Sequence, residues 1–163
     1  MIGSRWRLIC AGSRSLPETL KITWDTTGAC LLQPREEMRA VIGSNWTISS
    51  EVQVKMTTLD RLFVDLGEVL LLKIDVQGYE KSVLAGAKQT LTKTRFVLIE
   101  LNFMSHYDGG SWLGEVHQIL TCDFGFYLAN ATAPQVLNGR ASMIDGLYVN
   151  PNLVHEWVKP DFV

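Results

Sequence analysis

The sequence predicts an α/β protein whose sheet is mostly parallel with an antiparallel end, and three observations predict it. Two almost continuous apolar runs, Val69–Ile74 and residues 96–99, have the composition of strands covered on both faces. Between them Val83, Leu84, Ala87 and Leu91 recur at helical spacing, which makes residues 69–99 a βαβ unit with parallel strands and a right-handed crossover. Before Met56 the readable segments are instead short and alternating. With 163 residues, 47% of them apolar and 20% charged, the chain is long enough for a core of its own and lies outside the disordered and fibrous classes. One domain is expected.

Leu20, Ile22 and Trp24 share one face, as do Val52, Val54 and Met56, and both segments read as half-buried antiparallel strands. Gly28, Pro34, Gly43 and Ser44 punctuate the loops between them, around a short helix at Glu36–Ile42. Leu59, Leu62, Phe63 and Leu66 then recur at i, i+3, i+4 and i+7, which predicts a helix from a Thr57 or Thr58 cap to a stop at Gly67. After the strand at 69–74 come a turn at Gln77-Gly78, a helix over 79–91 and the strand at 96–99. A helix over 112–120 with Ser111 as its cap follows, then strands at 124–128 and 146–149 separated by a loop over 130–140. The chain thus divides into short strands and loops (1–56), an α/β core (57–150) and a tail (151–163).

Fifteen Lys and Arg oppose seventeen Asp and Glu, giving a net charge of −2, and no single-sign block exceeds a pair such as Glu36-Glu37. That balance excludes a polyanion-binding surface, so no nucleic-acid partner is expected. No apolar run approaches the ~20 residues that cross a bilayer. The apolar residues 8–11, behind Arg5 and Arg7, are too few for an export signal. A cytoplasmic protein without a membrane partner is expected. Cys10, Cys30 and Cys122 are odd in number and contain no CxxC pair, against both a disulfide framework and a zinc knuckle. No metal is expected. Without export, the sequons at Asn45 and Asn130 read as chance.

Ligands of open α/β sheets bind beyond the carboxyl ends of the strands. The strand at 69–74 delivers Asp75 there, followed by Val76-Gln77-Gly78-Tyr79-Glu80, and the strand at 96–99 delivers Glu100 and then Asn102. Adjacent strands stand about 5 Å apart. Asp75 and Glu100 are therefore expected to open into a common cleft, with Glu80 near them in the first helical turn. Close carboxylates at a partly desolvated edge raise one another's proton affinity and suit a proton, a cation or a substrate hydroxyl. Asp75, Glu80 and Glu100 are the candidate catalytic residues. Each has a plainer alternative, since the helix dipole favours an acid at Glu80 and strand ends are often polar. His106, His117 and His155 have no metal-ligand spacing. Ser111 follows two glycines, but Leu113 stands where a nucleophile elbow needs a third.

At Leu72-Lys73-Ile74-Asp75-Val76-Gln77-Gly78-Tyr79-Glu80, followed by Val83-Leu84-Ala85-Gly86-Ala87, the chain closely resembles the FkbM family of S-adenosylmethionine-dependent methyltransferases. Val54-x-Met56-Thr57-Thr58-Leu59-Asp60, Leu98-Ile99-Glu100-Leu101 and Asp145-Gly146-Leu147-Tyr148-Val149 are similar to that family's flanking segments, over roughly residues 8–149. The resemblance implies a class I methyltransferase (Rossmann-like) sheet and methyl transfer from S-adenosylmethionine to an oxygen of a sugar or secondary metabolite. It implies Asp75 and Val76 at the cofactor, and Asp75 or Glu100 orienting or deprotonating the acceptor hydroxyl. It also implies a preceding strand with a glycine-rich turn and a second strand with an acidic end, whereas no GxG occurs in this sequence. The expectation is the later portion of a methyltransferase, incomplete at the N-terminus, which binds the cofactor weakly and self-associates through an exposed sheet edge. A non-catalytic binding or scaffold protein built on the same half sheet is the alternative.

Overall fold

A computed structural model describes residues 9–23, 29–43 and 46–154. Trp24, Gly28, Ser44, Asn45, His155, Arg5 and Arg7 lie outside the described residues. The alternating segments form a three-stranded sheet of β1 (Ile9–Ala11), β2 (Pro17–Thr23) and β3 (Ile48–Thr57) in the order β1-β3-β2. As the alternation predicts, β2 and β3 are antiparallel, with Leu20 opposite Val52, while β1 runs parallel to β3. Helix α1 occupies Glu36–Ile42, as expected.

Helix α2 is shorter than its periodicity suggests, spanning only Leu59–Leu62. Thr58 caps it by accepting from the Arg61 amide at 3.2 Å. Its continuation is stopped by Lys93, whose Nζ takes the Phe63 and Leu66 carbonyls at 2.6 and 2.5 Å, so no further turn is needed to satisfy them. Leu62 and Leu66 are left exposed.

The second sheet begins with β4 (Val69–Ile74) and β5 (Thr94–Asn102), paired in parallel with Ile74 beside Ile99. The βαβ expectation holds, but its crossover is two helices, α3 (Glu80–Ala85) and α4 (Lys88–Thr92), in place of one over 79–91. The break lies at Gly86, whose backbone sits so close to the Gly12 carbonyl that any Cβ would overlap it. The Asp60 carboxylate then takes the Thr90 amide and hydroxyl at 2.8 and 2.9 Å, giving α4 a start of its own.

Helix α5 covers Leu113–Gln118 and runs into a π-helical turn, Ile119–Asp123. Ser111 does not cap it. Its Oγ accepts instead from the Lys81 amide at 2.9 Å, capping α3 across the chain. The extra turn displaces the next strand, so β6 is Tyr127–Ala131 and not residues 124–128. The expected loop over 130–140 contains β7 (Gln135–Leu137), joined to a long β8 (Arg140–Val149) by Asn138-Gly139, both at positive φ as a two-residue hairpin turn requires.

The sheet order is β4-β5-β8-β6, with β7 also on β8. Because β8 inserts between β5 and β6 and runs against all its neighbours, this sheet is mostly antiparallel, which corrects the expectation of a mostly parallel one. Leu72, Ile74, Val97, Ile99, Leu101 and Tyr148 on one face pack with Val83, Leu84 and Leu91 of the crossover and with Val116 and Leu120. The expected cover on both faces of β4 is also corrected. It is an edge strand among the described residues, with Leu70 and Leu71 65% and 52% exposed. No helix among the described residues is long and apolar enough to cross a membrane.

Candidate functional site

Asp75 leaves the end of β4 beside Lys73, whose Nζ lies 2.9 Å from its Oδ2. Strand β5 continues past that level, so Glu100 is still in the ladder, opposite Asp145 of β8, and is only 7% exposed. Its Oε1 accepts from Asn102 Nδ2 at 3.0 Å. The two acids are brought together, because Gln77 Nε2 donates both to Asp75 Oδ1 at 3.1 Å and to Glu100 Oε2 at 3.4 Å.

The turn after Asp75 places Gln77 at φ 53° and Gly78 at φ 90°, two left-handed residues in succession. Several groups hold it there. Glu80 Oε1 accepts from the Gly78 and Val76 amides at 3.0 and 3.4 Å. Ser111 donates its amide and its hydroxyl to the Gly78 carbonyl, each at 2.8 Å. The Cys30 thiol donates to the Gln77 carbonyl at 2.9 Å, and the Tyr107 hydroxyl donates to Gln77 Oε1 at 3.3 Å.

Glu80 thus lies near the other two acids, as expected, but its carboxylate turns inward to the amides of the turn and not into their cleft. It is fully buried, and its second oxygen has no hydrogen-bond partner among the described residues. A carboxylate reaching back from the first turn of a helix satisfies nearby amides in preference to facing solvent. Burial raises its proton affinity, the Gly78 and Val76 amides work against that rise, and the Asp75 charge adds to it.

Two clefts meet at Asp75. The larger, about 460 Å³, has a polar floor of Asp75, Gln77, Glu100, His106 and Ser142, with Trp46 and the β7–β8 hairpin among its walls. The smaller, about 280 Å³, is bordered by Asp75, Val76 and Tyr79 opposite Leu20, Cys30 and Leu31. A second small core of Cys30, Met38, Trp46 and Tyr107 meets the turn through Cys30 and Tyr107, both of which bond Gln77.

Burial pushes the Glu100 carboxyl up to about 7; the Asn102 hydrogen bond opposes the rise, and Glu80, Asp75 and Asp145 add to it. Burial keeps His106 below the ordinary imidazole range, and its Nε2 lies 2.7 Å from Ser142 Oγ. Burial also pushes Cys30 up to about 12, so it stays a thiol. Cys30 and Cys122 are both free, and no cluster of three or more His, Cys, Asp or Glu among the described residues is arranged to hold a metal ion. A buried carboxylate of near-neutral proton affinity, next to an exposed acid paired with lysine, can take a proton from a hydroxyl placed between them.

Gln77, His106, Ser142 and Trp46 line this site without having stood out in the sequence. Gln77 has the sequence context of a turn residue, and His106 has no ligand spacing. Ser142 reaches the cleft only through the register of β8, for which no local signal exists.

The Methyltransferase FkbM domain family matches residues 14–128. A 2-O-methyltransferase NoeI of Sinorhizobium fredii (strain NBRC 101917 / NGR234) is 34% identical over 89 residues, which are 53% of this chain and 35% of that protein. The chain thus matches well under half the length of this curated relative. No solved structure matches.

Proposed function

Because the chain belongs to the FkbM methyltransferase family, we propose that it carries the acceptor side of an S-adenosylmethionine-dependent O-methyl transfer to a hydroxyl of a sugar or secondary metabolite. The observation that carries this reading is the position of Asp75, which borders both clefts. A methyl donor on one side of it and an acceptor on the other would meet at that side chain.

The smaller cleft suits part of the donor. Leu20, Leu31 and Val76 line it together with the acid Asp75, a combination that fits a cation carried on apolar arms. Its volume of about 280 Å³ is below the usual ~300–1,000 Å³ of a complete small-molecule site, so these residues would hold only a portion. When bound, S-adenosylmethionine supplies an electrophilic methyl group.

Everything else is asked of the chain's own groups. The larger cleft receives the acceptor, and Glu100 Oε2 takes the proton from its hydroxyl. Asp75, kept in place by Lys73, orients that hydroxyl, and proximity supplies much of the rate. Glu80 positions both acids by fixing the turn between them.

The open edge of β4 and the exposed Leu70 and Leu71 favour the second reading, a binding protein that uses this half sheet as a docking edge. Calorimetric titration of this chain with S-adenosylmethionine, beside an otherwise identical chain extended upstream, separates the two. Binding that appears or tightens on extension, and is lost in Asp75→Asn, supports the methyltransferase reading. No binding by either chain overturns it.

A further inference from the structure

We propose that Gln77 is the positioning residue of the acid pair: its side-chain amide, donated jointly to Asp75 and Glu100, aims the two carboxylates into the larger cleft and favours the proton-accepting form of Glu100. The role assigned to Glu100 rests on the function proposed above; the contact does not.

The carboxylate oxygens divide without remainder. Asp75 Oδ2 faces Lys73 and Glu100 Oε1 faces Asn102, which leaves Asp75 Oδ1 and Glu100 Oε2, the two oxygens that Gln77 Nε2 bridges. An ionised acid only accepts hydrogen bonds, so two adjacent carboxylates need a donor between them, and a neutral NH2 group provides it. The other end of the amide is fixed as well. Gln77 Oε1 accepts from Tyr107, a buried ring packed against Trp46 with centroids 5.3 Å apart, and the Gln77 carbonyl is held by Cys30. The side chain is thus tethered at both ends of a left-handed residue, a conformation that glycine or asparagine adopts more readily than glutamine. A turn alone would not call for Gln here; the span to two carboxylates and a tyrosine does.

The charged and titratable groups that act on Glu100 are Lys73 from β4 and Asp75 just beyond it, Glu80 from α3 and Asp145 from β8, with His106 on the cleft floor. Three of these are acids that oppose its ionisation, and the Gln77 donor acts against them.

The test is an NMR titration of the Glu100 side-chain carboxyl in the full chain, with no methyl donor present, for wild type, Gln77→Asn, Gln77→Leu and Gln77→Glu. Asn keeps the amide and tolerates the left-handed backbone, but it is one methylene too short to bridge the pair. The Glu100 midpoint is expected to rise by about half a unit in Gln77→Asn and Gln77→Leu, and by about one unit or more in Gln77→Glu, where a third acid replaces the donor. Amide spectra confirm that each variant is folded. A midpoint that stays at the wild-type value in the folded variants overturns the proposal and leaves Gln77 as a turn residue. Absence of methyl transfer from every protein would count against the proposed function alone, because the titration reads the contact without it.

Discussion

Glu100 meets two opposing demands, since the burial that makes it a good proton acceptor also makes it a burden on the fold. Its carboxyl titrates near 7 in the native protein against an ordinary value of 4.5. Between those limits the native state holds the extra proton, so stability falls as pH rises from about 4.5 to about 7 and is level above. Glu100→Gln removes that loss while keeping an oxygen for Asn102. It is expected to be more stable than wild type by up to about 3 kcal/mol at pH 8 and equal to it at pH 4, as urea denaturation at the two pH values would measure. Under the proposed function, the same substitution should cost methyl transfer a factor of about 10²–10⁴, and that activity should climb as pH rises through about 7. The juxtaposition of Asp75 and Glu100 was legible in the sequence because each follows an apolar run and the two runs pair in parallel, whereas the continuation of β5 through Glu100 to Asn102 was not. The inward turn of Glu80 was not, since a residue's place in a helical turn leaves open whether its carboxylate meets water or a neighbouring amide. His106 and Ser142 meet across 36 residues, a pairing no local pattern encodes.

Between α2 and α4, one acid does the work of a missing cap. Burial works against ionisation of Asp60, but the amides of Thr90, Gln89 and Lys88 outweigh it and hold its carboxyl below the usual range. Its contribution to stability is therefore present at neutral pH and lost as pH falls through that lowered value. Asp60→Ala is expected to cost about 1–2 kcal/mol in thermal or urea unfolding at pH 7, and less in strong acid. Gly86→Ala should cost about as much or more, because the added methyl meets the Gly12 carbonyl and backbone cannot move aside cheaply. The same site shows why the sequence predicts one helix for the crossover. Val83, Leu84, Ala87 and Leu91 all reach the core, so the apolar stripe continues through a break that only the approach of Gly12 reveals. At α2 the stripe misleads in the other direction, because Leu62 and Leu66 extend the pattern but stay exposed.

At the scale of the whole molecule, the described residues leave several large apolar side chains exposed. Leu62, Val64 and Leu66, just before β4 in the chain, and Leu70 and Leu71 within it are all exposed, and the edge of β4 is free among the described residues. Natural edges are protected by charge, proline or bulges, and β4 carries only Lys73. The chain is expected to self-associate, and Leu71→Lys to shift it towards monomer in light scattering; an already monomeric wild type would remove the basis for this. Strand direction was the least legible property at this scale, since the order of β5, β8 and β6 depends on pairings across some forty residues of intervening chain. Ser111, which binds the Gly78 carbonyl and caps α3 from a point 30 residues away, ties the turn to the start of α5. Deuterium should consequently enter the Lys81 and Ser111 amides at one shared rate, the mark of a single cooperative opening, and Ser111→Ala should hasten exchange at both.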